Sequence, residues 1–203
     1  MQKKLIKLGF IAEMPLKITF KPLNADTWPS FEKLFGPKGA CAGCWCMTWR
    51  LQKADYERLR GDGNKKAIKK LASKNEPIGI LAFVGDEPVG WCAVAPREKY
   101  VRLETSRVLK PIDDKSVWSV SCFFIAKPYR RKGLSVKLLK ATLAYARKEG
   151  ARIVEAYPLE PKDKKMPDVF AWTGILSSFI TAGFKEEKRH SPARPIVRYY
   201  LGK

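Results

Sequence analysis

The chain has 203 residues, 45% of them hydrophobic and 11% aromatic, which suits one domain with a buried core and excludes a disordered segment. Forty basic residues stand against twenty acidic ones, and the net charge of +20 is spread along the chain rather than gathered in a tail. Such a field attracts phosphates, whether of nucleic acid, anionic lipid or a polyphosphate cofactor, but a lysine-rich solvated surface explains it equally, so charge alone selects no partner.

Residues 1–15 carry lysines and then Leu5, Ile6, Leu8 and Phe10, in loose imitation of a secretory leader. Lys7 interrupts that run and no small-residue cleavage site follows, so the segment reads as an arm or extra strand ahead of one domain at 16–203. No apolar run reaches the roughly 18 residues that a membrane-spanning helix needs. The expectation is a cytoplasmic protein with no membrane role.

Leu16 to Leu23 alternates apolar and polar residues, as an edge strand does. Asn24 and Asp26 are candidate helix caps, and Trp28, Phe31, Leu34 and Phe35 follow at helical spacing. Gln52 to Lys74 is charged and helix-prone, and Gly61-Asp-Gly63 divides it into two short helices. Pro77 to Val84 and Pro88 to Ala95 form a hairpin about Gly85-Asp86-Glu87. Ser116 to Ala126 is a strand, with Trp118, Val120, Cys122 and Phe124 expected on one face. Gly133 to Glu149 is a helix with its apolar stripe at Leu139, Leu143 and Ala146. Arg152 to Tyr157 is a strand, and Asp168 to Ala182 a continuous helix with Trp172, Ile175, Leu176 and Phe179 on one side. Two strands, Phe184 to Lys188 and Ile196 to Leu201, close the chain. The class is α/β, a mixed central sheet with flanking helices.

The segment richest in chemistry is Cys122-Phe-Phe-Ile-Ala-Lys-Pro-Tyr-Arg-Arg-Lys-Gly-Leu-Ser135. A buried strand runs into a basic turn and a helix starts at Gly133. Such a junction presents unpaired backbone N–H groups and the positive end of a helix dipole to an anion. Gly133 leaves room for a pyrophosphate to approach the backbone, Ser135 is small, and Arg130, Arg131 and Lys132 add full charges.

Arg130-x-x-Gly133-x-Ser135 resembles the (Gln/Arg)-x-x-Gly-x-(Gly/Ala) motif of the GNAT superfamily of N-acetyltransferases. Ile125-Ala-Lys127 takes the place of its preceding Val-x-Pro. Ala182-Gly183-Phe184 is similar to the family's exit from its last helix. The likeness runs from about residue 16 to 201, and its linear order gives the motif its context. It implies a GNAT-like acyl-CoA N-acyltransferase fold, with acetyl-CoA as co-substrate. It further implies that Phe123, Phe124 and Ile125 lend backbone groups to the acyl and pantetheine part, and that Arg130, Arg131, Lys132, Gly133, Leu134 and Ser135 cradle the pyrophosphate. The implied activity is transfer of an acyl group, expected to be acetyl, to a primary amine of a small-molecule or protein acceptor. Ser135 departs mildly from the motif. Phe179 departs more, because it stands where many members carry a tyrosine thought to protonate the leaving thiolate.

Ser116 to Ala126, where such enzymes often place a glutamate base, has no carboxylate. Glu155 is the nearest candidate base, with Tyr157 on the same face of its strand as a candidate donor; the alternative for Glu155 is an ion pair with one of the many cations. Cys41, Cys44 and Cys46 give three thiols where structural zinc needs four ligands, and Cys92 completes the set only if the fold brings it near. No metal and no disulfide are expected; the Cys-Trp-Cys-Met47 stretch, which looks like a segment of a little-characterised branch of the superfamily, reads instead as pocket lining. His190, the one histidine, reads as a surface-loop residue. Two rivals remain: an acyl-CoA-binding module without turnover, which Phe179 permits, and a basic nucleic-acid-associated protein.

Overall fold

The computed structural model describes residues 17–161 and 167–202, so the expected arm at 1–15 lies outside them. The strands are β1 (Ile18–Pro22), β2 (Gly79–Val84), β3 (Glu87–Pro96), β4 (Trp118–Ile125), β5 (Ile153–Ala156), β6 (Lys185–Ser191) and β7 (Arg194–Tyr200). The helices are α1 (Trp28–Phe35), α2 (Lys53–Arg58), α3 (Asp62–Ser73), α4 (Val101–Glu104), α5 (Leu134–Lys148) and α6 (Leu176–Thr181). One seven-stranded sheet runs in the order β1-β2-β3-β4-β5-β7-β6; β4 and β5 are its parallel pair and the other neighbours are antiparallel. This is the mixed α/β sheet the sequence pattern indicates.

Local sequence explains most elements. Asn24 Oδ1 accepts the Thr27 N–H at 3.0 Å just ahead of α1, and Pro29 sits in the first turn, where its missing N–H costs nothing. Helix α1 drives Phe31 and Phe35 against Trp45 and Trp91, with Phe31 in an edge-on contact with Trp91 at 4.9 Å between centroids. Burying each such side chain contributes about 1.5–3 kcal/mol. This aromatic core lies on one face of the sheet, under α1, α3 and the cysteine loop. The opposite face is covered by α5 and α6, whose Leu138, Leu139 and Phe179 are fully buried against Val94, Val120 and Val154.

Two expectations need correction. Strand β4 does not keep one face. Ala93 pairs with Cys122 but Val94 pairs with Val120, so Ser121 bulges out of the ladder. The bulge turns Phe123 and Ile125 toward the α5 side with Trp118 and Val120, and sends Cys122 and Phe124 to the aromatic side. Asp168 to Ala182 is not one helix either. A tight 3₁₀ turn at Asp168–Thr173 ends at Gly174, with φ of 83°, and α6 begins only at Leu176. A Cβ at Gly174 would lie 2.5 Å from the Phe179 ring, so both the left-handed backbone and the close approach require glycine there. Ile175 is spent in a bridge to Leu159 instead of a helical turn.

Candidate active site

Strands β4 and β5 part company early. Their ladder holds only at Trp118–Val154, Ser119–Glu155 and Val120–Ala156, and beyond Val120 the edge of β4 facing β5 has no partner strand. The gap leads to the turn at 126–133. Arg130 Nε donates to the Ile125 carbonyl at 2.8 Å, which folds the turn back on the end of β4. Arg131 and Gly133 both adopt left-handed backbone, with φ of 58° and 73°, and α5 starts immediately with no side-chain cap. A 15-residue helix therefore aims its free amides and positive dipole end at the gap.

A cavity of 590 Å³ occupies this place. Phe123, Phe124 and Ile125 form one wall, and Lys127, Arg130 and Arg131 bring cations to its rim. Ser135 on α5 lines it too, with Oγ 3.1 Å from Ser178 Oγ of α6. Of the remaining residues expected in the cradle, Lys132 is exposed away from the lining, Leu134 is buried beneath the turn as a core residue, and Gly133 serves through its backbone. The opposite wall, made by Val169, Ala171, Trp172 and Ile175 with Ala40 and Cys41, did not follow from the sequence as a wall. Gly174 was its one local signal, read as helix interior.

Glu155 and Tyr157 share a face, as the strand period requires, but neither lines the cavity. Both are fully buried. Glu155 accepts from Arg97 Nη1 at 3.1 Å, from Tyr157 Oη at 2.7 Å and from Arg198 Nε at 2.8 Å. Tyr157 Oη also lies 2.8 Å from Ser119 Oγ and accepts from Arg97. Arg198 continues to Asp113 through two bonds of 2.6 and 2.8 Å, and Arg97 to Glu104 at 2.9 Å. Burial first, and the Glu155 carboxylate second, push the Tyr157 phenol well above its ordinary value. The geometry thus favours the ion-pair reading of Glu155 over the role of base. Its oxygens are taken by two guanidiniums and a phenol, and they tie β3, β5 and β7 to the 97–113 segment.

Phe179 is buried, with its ring edge-on to Phe123 and Phe184 at 5.7 and 5.2 Å, and it closes the floor of the cavity. The cysteines separate. Cys41 is exposed at the cavity wall, while Cys44 and Cys46 pack on the aromatic side. Cys92 is buried in the core across the sheet, and among the described residues no three metal-ligating side chains come together. His190 belongs to strand β6 and not to a loop. Among the described residues no helix is long and apolar enough to cross a membrane.

A split parallel pair opening onto the N-terminus of a helix through a cationic turn is the architecture of an acyl-CoA-dependent N-acyltransferase. The family model described as Acetyltransferase (GNAT) family matches residues 45–169, and the chain belongs to that family of acetyltransferases. No curated protein sequence matches it. Solved structures resemble it in fold. A GNAT-family acetyltransferase from Listeria monocytogenes 4b F2365 superposes with a TM-score of 0.56 at 8% identity, over 91% of this chain and 95% of that one. The PaiA N-acetyltransferase of Thermoplasma acidophilum, solved with coenzyme A, gives 0.51 at 14% identity over 91% and 99%. Ribosomal-protein-S5-alanine acetyltransferase from Vibrio fischeri gives 0.51 at 10% identity over 93% and 95%.

Proposed function

We propose that the protein transfers an acetyl group from acetyl-CoA to a primary amine. The observation that carries this reading is the parting of β4 from β5 directly above the cationic start of α5. The residues fit the co-substrate. Arg130, Arg131, Ser135 and the first amides of α5 would hold the pyrophosphate, and the unpartnered edge of β4 at Phe123 to Ile125 would take the amide-bearing arm. Acetyl-CoA supplies the activated acyl group. Amide donors on β4 would steady oxyanion charge, and the apolar walls of Phe123, Phe179, Ile175 and Trp172 would exclude bulk water. Among the described residues the cavity has no carboxylate lining, so proton removal from the amine falls to water drawn through its open mouth.

A second reading has one observation in its favour. Phe179 offers no hydroxyl to protonate a leaving thiolate, and losing a general acid typically costs about 10² to 10⁴ in rate. A thiol ionises near pH 8.5, roughly, so the leaving group tolerates that loss and slow turnover survives. Calorimetric titration with acetyl-CoA, then a panel of primary amines with thiol detection, separates the readings. CoA release above background with at least one amine supports the enzyme, and Phe179→Tyr should raise kcat without changing acetyl-CoA affinity. Tight binding with no release across the panel supports a binding module. No binding at all overturns both.

A further inference from the structure

Between the cavity wall and the aromatic core lies a group of polar side chains that acetyl transfer does not use. Cys46 Sγ accepts a hydrogen bond from Trp91 Nε1 at 3.2 Å in the buried interior. The Cys122 thiol, delivered from β4 just past the Ser121 bulge, shares a hydrogen bond with the same sulfur. Arg50, one turn along from Cys46, is 9% exposed, and its guanidinium stacks on Tyr100 at 4.7 Å. Among the described residues Arg50 has no carboxylate partner, and its Nη2 atom has no hydrogen-bond partner. A buried cation without an anion is costly, and the group close enough to serve as its anion is Cys46. The backbone agrees. Trp45 and Cys46 are both left-handed, with φ of 44° and 60°, a conformation that non-glycine residues adopt only where their surroundings enforce it.

We propose that Cys46 and Cys122 form an oxidative modification site, in which Cys46 is the thiolate attacked first by a hydroperoxide and Cys122 resolves it to a disulfide. The Cys46 thiolate displaces one peroxide oxygen; its S–O bond forms as the O–O bond breaks, and the departing hydroxide takes a proton to become water. The Cys122 sulfur then attacks Cys46 Sγ, the S–S bond forms and the S–O bond breaks. Hydroxide leaves with the Cys122 proton as a second water. In sum, two thiols and one hydroperoxide give a disulfide and two oxygen-reduced products.

The surroundings order the two sulfurs. The Cys122 hydrogen bond foremost, then the Trp91 N–H and the Arg50 charge, hold the Cys46 thiol below its ordinary range against the cost of burial. The same hydrogen bond, with burial, pushes Cys122 well above it. The other titratable groups that feel this charge are Cys44, Cys92 and Tyr100, and none is a carboxylate. The oxidant has a route. Cys122 is half-buried and the next two residues, Phe123 and Phe124, line the cavity, as does Cys41. The disulfide would strap the cysteine loop to β4 at the residue before that wall, so oxidation should also alter acetyl-CoA affinity. Only that last readout rests on the proposed function; the chemistry stands apart from it.

The test uses the full chain carrying Cys41→Ser and Cys44→Ser, so that the tryptic peptide of Cys46 holds one cysteine. Reduced protein is treated with stoichiometric hydrogen peroxide. The expected result is a loss of about 2 Da, a peptide linking Cys46 to Cys122, and reversal by dithiothreitol. In Cys122→Ser, dimedone should trap a sulfenic acid at Cys46. Arg50→Met should slow Cys46 oxidation about tenfold at neutral pH, through loss of thiolate. A circular dichroism spectrum unchanged in each variant shows that it folds. No 2 Da loss from the folded starting protein, a link to Cys92 instead, or dimedone labelling at Cys122 but not Cys46 would overturn the proposal. If the disulfide forms while acetyl-CoA fails to bind, the modification site stands and the proposed function falls.

Discussion

At its first residues β4 lies beside Arg97, Glu155, Tyr157 and Arg198, every one of them buried and bonded to the next. Seven residues further on it delivers the chain to Lys127, Arg130 and Arg131, cations set around a cavity at the open end of a helix. Both places gather cationic side chains close to the same strand. In the first, each guanidinium meets a carboxylate inside the protein, and the result is a clamp across β3, β5 and β7. In the second, cations, free amides and a helix dipole point the same way into an opening large enough for a ligand. Ionisable residues in a fold therefore mark function only where their partners leave room for another molecule.

The comparison breaks first at Glu155. Glu155→Gln keeps the shape but leaves two buried guanidiniums short of an anion, and the expected loss is about 3–5 kcal/mol of unfolding free energy. Denaturant titration measures it. A loss below about 1 kcal/mol, of the size expected for exposed pairs, would show that the clamp is not a clamp, and a selective loss of activity on the low-pH side would restore Glu155 as a base. Next in size is Gly133→Glu. The left-handed backbone at this position costs a side chain about 1–2 kcal/mol. The introduced carboxylate would face the phosphates, and acetyl-CoA affinity should fall more than about 100-fold by calorimetry, on the arithmetic of about 1.4 kcal/mol per decade. Unchanged affinity would remove the α5 turn from the site.

Arg130→Ala should cost less, about tenfold in affinity, with a flatter dependence on salt because one screened charge is gone. The bond of Arg130 to Ile125 adds a second signature: Arg130→Lys should recover the salt dependence but only part of the affinity. The smallest effect is at the outer end of the clamp. Hydrogen bonds from Arg198 lower the Asp113 carboxyl from 3.8 to about 2. A carboxyl with a depressed value stabilises the folded chain above its unfolded value, and that contribution is lost as pH falls through the folded one. Asp113→Asn should therefore be less stable than the parent at neutral pH, and the difference should close between about pH 4 and pH 2. A difference that stays constant across this window would mean that Asp113 acts through shape and not charge.

What was legible in the sequence divides along the same line. The strands, α1, α5 and the turn at Gly133 depend on short-range periodicity and on residues that cap or break, and each lies close to where the pattern puts it. The clamp was not legible, because Glu155 finds its guanidiniums 58 and 43 residues away. Helix α4 has four residues, too few to show a period. The faces of β4 were misjudged because the bulge at Ser121 is a property of its pairing with β3 and not of β4 itself. The helix expected over 168–182 has a sound apolar stripe, yet Gly174 and the Leu159–Ile175 bridge overrule it.

The two walls of the cavity come from different parts of the chain. The strand, the cationic turn and Ser135 all belong to one continuous stretch of thirteen residues, 123–135, whereas the facing wall is built from 40–41 and 167–175, which are far apart in sequence. A substitution in either facing piece changes the space next to the reacting end without disturbing the seat of the phosphates. Selection can therefore reshape what the cavity admits while its grip on the donor stays constant, and the 3₁₀ turn at Asp168–Thr173, hinged on a single glycine, is where that retailoring meets the least resistance.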